Sequence, residues 1–168
     1  NTITATAYSG DNGTSAAIAS VVYGQDGAYA ISPGGITAIA DSGDNGYSLA
    51  IGNQTISPQG YAYLYSGYAI AATATAGDNS TAIAVGGAVQ GYGYAGAVST
   101  GDVTASASAG DASYASADGL SVFSSGFAYL YNSGAISASA VAGDDSVAYA
   151  EAAVTLGSTY AYTINNGE

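Results

Sequence analysis

Small residues return at every second position along most of this chain, and the pattern repeats five times. The copies align on Gly10-Asp11, Gly43-Asp44, Gly77-Asp78, Gly110-Asp111 and Gly143-Asp144. Five residues before each glycine stands alanine (Ala5, Ala38, Ala72, Ala105, Ala138), and three before stands alanine again (Ala7, Ala40, Ala74, Ala107, Ala140). Seven before is a β-branched residue: Ile3, Ile36, Ile70, Val103 or Ile136. A strict period of two marks a strand with one uniform face. Alanine alone favours helix, but the interleaved Thr, Ser and Ile, and the period itself, override that preference.

After each Gly-Asp come Asn-Gly, Asn-Gly, Asn-Ser, Ala-Ser and Asp-Ser in turn. Most are residues that tolerate positive φ or hydrogen-bond their own backbone, so a turn is expected there. A second alternating strand follows, with small residues on one face (Ser48, Ala50, Gly52; Ala82, Ala84, Gly86; Ala115, Ala117, Gly119) and a variable opposite face. The third strand of each copy is aromatic, as in Tyr61-Ala62-Tyr63-Leu64-Tyr65 and Phe127-Ala128-Tyr129-Leu130-Tyr131. Ala or Leu takes one face and Tyr the other.

The Gly-Asp marks at 10, 43, 77, 110 and 143 lie 33, 34, 33 and 33 residues apart, so five units fill nearly all 168 residues. Approximate units are 1–33, 34–67, 68–100, 101–133 and 134–168, in a single repeat domain. The extra residue of the second unit is expected near Gly60. A fixed period of this size signals an array or solenoid. The face that stays small in every copy has the tightest steric limit and is expected to point inward. The reading is therefore all-β: a parallel β-solenoid of about five 33-residue coils, with equivalent residues stacked about 4.8 Å apart. The Ala/Ser interior predicts a thin cross-section. An antiparallel meander or small propeller is the alternative, because Asp-Asn-Gly between strands is also a hairpin signal.

Composition narrows the chemistry. Lys, Arg, His, Cys, Met and Trp are absent, and 12 acidic residues give a net charge of −12. Nucleic-acid binding needs cations to displace counterions and is excluded. No apolar run is long enough for a membrane-spanning helix, so membrane insertion is not expected. Disulfides, thiolate or imidazole metal sites and Ser-His-Asp or Cys-His catalysis cannot be built. A carboxylate pair could still act on a glycoside, but most acids fall at repeat turns, and no enzyme is expected. No cofactor is required. Hard oxygen ligands leave calcium as the cation to consider.

The stretch Gly77-Asp-Asn-Ser-Thr-Ala-Ile-Ala-Val-Gly-Gly87 is similar to the head repeats of trimeric autotransporter adhesins, over roughly a dozen residues per unit. That resemblance implies an Ala/Gly/Ser-rich β-roll of a surface or fibre protein.

If coils stack, Asp11, Asp44, Asp78, Asp111 and Asp144 form one carboxylate ladder. Neighbours 4.8 Å apart would repel by about 1 kcal/mol in water-like surroundings. Turn N–H groups could satisfy these carboxylates, or a calcium ladder could bridge them, although the Gly-Gly-x-Gly-x-Asp pattern of calcium-binding rolls is absent. A second candidate is a contact stripe of Tyr29, Tyr63, Tyr65, Tyr94, Tyr129, Tyr131 and Tyr162, suited to another protomer or a glycan because Tyr keeps a polar end wet. Thr and Ser columns on the first strand hint at an ice-binding face, but Tyr8, Ile39, Asp41 and Val141 interrupt it. Asn12, Asn53 and Asn79 begin Asn-x-Thr sequons.

The sequence opens inside its first strand and closes just after its fifth aromatic strand, without a capping element. Open strand edges of this kind predict head-to-tail, non-closing association. The expected function is a structural subunit of an extracellular filament or matrix, at the cell surface or beyond it. A segment of a cell-surface adhesin and an ice- or glycan-binding β-solenoid are the alternatives.

Overall fold

A computed structural model describes residues 1–167, which form fifteen strands and, among them, no helix. The first coil contains β1 (Thr2–Tyr8), β2 (Thr14–Tyr23) and β3 (Gly27–Ser32); the second contains β4 (Gly35–Asp41), β5 (Tyr47–Ser57) and β6 (Tyr61–Ser66). The third has β7 (Ile70–Thr75), β8 (Thr81–Gly91) and β9 (Tyr94–Ser99), and the fourth β10 (Val103–Ser108), β11 (Tyr114–Ser124) and β12 (Phe127–Asn132). The fifth has β13 (Ile136–Val141), β14 (Val147–Gly157) and β15 (Tyr160–Asn165). First strands pair only with first strands, second with second and third with third. This gives three five-stranded parallel sheets, A, B and C. The protein is thus a β-solenoid of about five turns, and the antiparallel alternative is overturned.

Register is strict. Ala5 pairs with Ala38, Ala38 with Ala72, Ala72 with Ala105 and Ala105 with Ala138. Every residue therefore has its own counterparts as ladder neighbours. The extra residue of coil two is absorbed in the corner between sheets B and C: Tyr23 pairs with Ile56, but Gly27 pairs with Tyr61, so Pro58-Gln59-Gly60 takes up the slack.

The small faces point inward as expected. Ala38, Ala40, Ala72, Ala74, Ala105 and Ala107 of sheet A meet Ala50, Ala82, Ala84, Ala115 and Ala117 of sheet B in one core. Alanine loses no side-chain entropy on burial, and it lets the two sheets approach closely. The thin interior holds for this half alone. Sheet B bends at Gly52, Gly86 and Gly119, where two successive residues turn inward (Gly52-Asn53, Gly86-Gly87, Gly119-Leu120). Beyond the bend, its inner face diverges toward sheet C. The wedge between the sheets fills with Ile36, Ile70, Val103, Leu64, Leu130, Leu120, Val89 and Val122. The glycines are steric requirements of this wedge. A Cβ on Gly52 would lie 2.5 Å from Ile70 Cγ2, and one on Gly86 would lie 2.6 Å from Val103 Cγ1.

The corner between sheets C and A is held by a buried polar column. Ser66 Oγ donates to the Tyr68 carbonyl (2.8 Å) and Ser99 Oγ to the Gly101 carbonyl (2.9 Å). Asn132 Nδ2 reaches the Gly134 carbonyl in the same way and also donates to Asn165 Oδ1 (3.0 Å). The Ser66, Ser99 and Asn132–Gly134 bonds each close a two-residue turn and satisfy a backbone carbonyl there.

The Gly-Asp turn uses one left-handed residue per coil: Asn12, Asn45, Asn79, Ala112 and Asp145, with φ of 52° to 57°. Asn and Asp visit this region readily, whereas alanine there costs about 1 kcal/mol. Ala112→Gly is therefore expected to raise the unfolding free energy by about 1 kcal/mol in urea titration, with the m-value unchanged.

Candidate functional site

The five aspartates of the Gly-Asp mark form a single ladder, as the repeat predicts. They are bonded between coils rather than within a turn. Asp44 N–H donates to Asp11 Oδ1 (3.1 Å), Asp78 N–H to Asp44 Oδ1 (3.0 Å), Asp111 N–H to Asp78 Oδ1 (2.9 Å) and Asp144 N–H to Asp111 Oδ1 (2.8 Å). The neighbouring backbone amides also ladder. Gly110 N–H donates to the Gly77 carbonyl (3.1 Å), and Asn79 N–H donates forward to the Asp111 carbonyl (2.8 Å). A hydroxyl ladder runs beside them in the opposite sense. Ser80 N–H donates to Ser113 Oγ (3.0 Å) and Ser113 N–H to Ser146 Oγ (2.9 Å).

Charge-assisted N–H···carboxylate bonds are stronger than neutral ones, and here they sit between carboxylates that would otherwise simply repel. Glycine is required beside them for space, since among the described residues no glycine has positive φ. A Cβ on Gly43, Gly77, Gly110 or Gly143 would lie 2.1 Å from the aspartate Oδ1 of the preceding coil. Each Oδ1 of the first four aspartates is thus committed to an amide. Among the described residues, no three acidic side chains converge on one point.

The tyrosine stripe is the outer face of sheet C. Ala28, Ala62, Leu64, Ala95, Ala128 and Leu130 of its strands are buried, which turns the alternate residues outward. One outer column reads Gly27, Tyr61, Tyr94, Phe127, Tyr160. A second reads Tyr29, Tyr63, Gly96, Tyr129, Tyr162, and the third Ile31, Tyr65, Val98, Tyr131, Ile164. All seven tyrosines singled out from the sequence lie on this face. Tyr61, Phe127 and Tyr160, which complete the first column, are the members that the sequence reading left out.

The rings stack along the columns. Tyr94 stacks on Phe127 and Phe127 on Tyr160, each at a centroid distance of 5.4 Å and an interplanar angle of 7°. Tyr129 stacks on Tyr162 at 6.0 Å and 11°. Near-parallel rings at these centroid distances are offset stacks. The gap at Gly96 is filled by neighbours, since a Cβ there would lie 2.8 Å from Tyr94 Cε1 and 3.0 Å from Tyr63 Cδ2. Partial burial, and then the nearby phenols, push the Tyr63 and Tyr94 hydroxyls above the usual range.

Other candidate features are placed as follows. The outer face of sheet A carries the Thr and Ser columns, with Asp41 beside Tyr8 at one edge. Asn53 is buried, its Nδ2 donating to Ser20 Oγ (3.1 Å) and its Oδ1 accepting from Thr55, so its sequon is closed in the folded chain. Asn12 and Asn79 lie exposed on the turns. On the outer face of sheet B, Asp118 and Glu151 are ladder neighbours. Burial, and then the Glu151 charge, hold the Asp118 carboxyl above the usual carboxylate range.

Two predictions follow from these contacts. Gly77→Ala forces a methyl group against Asp44 and should destabilise by about 2 kcal/mol, the ordinary scale of overpacking. Asp44→Ala removes the colliding carboxylate and should rescue part of that loss, leaving a non-additive double-mutant cycle in urea. Asp118 is held up in the folded chain, so its ionisation opposes folding: stability falls as pH rises from the unfolded value near 4 through the raised folded one. Asp118→Asn should therefore be more stable than the parent at pH 7 and should lose that advantage at about pH 3, as read from melting temperatures.

No protein-family model matches the chain, and neither the curated proteins nor the solved structures include a significant match to it.

Proposed function

We propose that the chain is a structural subunit that stacks head to tail into an extracellular filament or matrix. One observation carries this reading: the two ends hold the separated halves of one contact. At the last coil, the Asp144 carboxylate occupies the ladder position from which Asp11, Asp44, Asp78 and Asp111 each accept an N–H. Among the described residues nothing donates to it. At the first coil, Gly10 has no atom within 4 Å of where a Cβ would sit, whereas every later glycine of its column meets an aspartate Oδ1 at 2.1 Å. A preceding coil would supply that aspartate, and the fifth coil of a second copy is such a coil.

Both end faces leave core positions open. Ala38 and Ala40 are fully buried, while Ala5 and Ala7 at one end are partly open and Ala148 and Ala150 at the other are exposed. At the first coil the wedge core opens into a cavity of about 180 Å³ lined by Ile3, Val22, Ala30, Ile31 and Ile36, among others. Stacking would continue all three sheets and cover this cavity. Both hydrogen-bond ladders have a direction, so a coil 5 end complements a coil 1 end and not another of its own kind. That is heterologous, non-closing association.

A filament outside the cell suits a chain without Lys or Arg, which offers trypsin-like proteases no site. No metal is needed by this reading, so calcium and chelator should leave assembly alike.

Electron microscopy of the purified chain tests it. The expected result is filaments with a subunit repeat of about 24 Å, five coils at about 4.8 Å. Ala150→Lys places a cation on an inner column at the open end; it should keep its β-type circular dichroism and lose the filaments. Discrete monomers at high concentration, with and without calcium, would overturn the proposal. They would favour a longer surface protein whose further coils cover these ends.

A further inference from the structure

The outer face of sheet C is spoken for by neither the ladders nor the ends. We infer that this face docks a second copy of the chain, face to face, so that filaments pair laterally through a dry aromatic seam. The inference rests on the filament reading above.

Charge selects the face. Every copy carries −12 and no Lys, Arg or His, so two copies can lie closely side by side only where there are no carboxylates left without an amide partner. The outer face of sheet A carries Asp41, and that of sheet B carries Asp118 and Glu151. The five strands of sheet C carry no charged residue on either face. Thirteen of their fifteen outward positions in the three columns are aromatic or aliphatic, with Gly27 and Gly96 the exceptions.

Ring geometry selects the occupant. A sugar stacks on the open face of an aromatic ring. Here successive rings of the Tyr94–Phe127–Tyr160 and Tyr129–Tyr162 columns already stack on one another within the sheet, which competes with a sugar for the ring faces. Rows of aromatic and aliphatic side chains repeating every strand suit another sheet of the same spacing, which can interdigitate with them as in a steric zipper.

Area sets the strength. Five strands about 4.8 Å apart and six residues about 3.3 Å long give a face of about 480 Å² per copy, below the about 800 Å² per partner of a stable interface. Two single chains therefore bind each other weakly. End-to-end assembly adds one such face per subunit, so lateral pairing strengthens as filaments lengthen.

The experiment compares wild type with Tyr63→Glu/Tyr129→Glu on sheet C and with Thr37→Glu/Thr104→Glu on the outer face of sheet A, which adds the same charge. Wild type and the sheet A variant should give paired filaments in the electron microscope, and the sheet C variant single ones with an unchanged axial repeat. Paired filaments in the sheet C variant would overturn the inference, as would single filaments in wild type. Quenching of tyrosine emission by a soluble neutral oligosaccharide on single wild-type filaments would assign the face to glycan instead, also against the inference. If no filaments form, the head-to-tail reading fails by itself. Pairing is then read by sedimentation at about 1 mM, the range expected for a small interface. A weak wild-type dimer lost in the sheet C variant and kept in the sheet A variant supports the inference; a wild-type monomer overturns it. A Tyr63→Ser/Tyr129→Ser variant serves the same comparison if the glutamates prevent folding.

Discussion

Everything in this molecule depends on the stacking of each residue on its own counterpart. Parallel pairing at a single register makes the neighbour of Ala72 another alanine on either side, and the neighbour of Asp78 another aspartate. A side chain in such a fold must be compatible with itself at strand spacing. Alanine satisfies this trivially, and tyrosine satisfies it by stacking. Aspartate does not satisfy it unaided, and the amide of the next coil is what makes the column tolerable. The glycine before each aspartate follows from that arrangement, because the carboxylate fills the space a Cβ would need.

The cross-section shows how little bulk such a constraint needs. Where sheets A and B lie close, the core is alanine, with Ser15, Ser42 and Ser48 taking alanine positions in the first coils. Where sheet B bends away, the extra width is met by the Ile/Val column of sheet A, leucines from sheets B and C, and valines of sheet B. Bend and wedge are one feature, since the glycines at 52, 86 and 119 give room to the side chains at 70, 103 and 136. At the corner between sheets C and A, Ser66, Ser99 and Asn132 donate to carbonyls two residues ahead.

The coil count, the parallel stacking, the inward alanines and the outward tyrosines were all legible in the sequence, because each is a column property and five aligned copies display columns directly. The wedge core was not, since Ile36, Leu64 and Leu120 come from three different strands whose proximity depends on the bend. The bend itself was hidden because the slip in alternation falls on glycines and small residues, where inward and outward look alike. The Asp ladder was legible as a ladder. Its bonding was not, because an acceptor for an amide in the same turn and one for the next coil's amide have the same sequence. Ring orientation likewise depends on distances along the stack, which composition does not encode.

The corner of coil two holds one residue more than its neighbours, at Pro58-Gln59-Gly60, and the ladders on both sides resume in register around it. Length at that corner is therefore decoupled from the periodic scaffold. Loop-closure entropy grows slowly with length, so a longer segment there would cost little. An array whose strands cannot vary without breaking their columns still has a place to diversify. A surface built this way can change what it displays, coil by coil, while the stacked scaffold beneath stays the same.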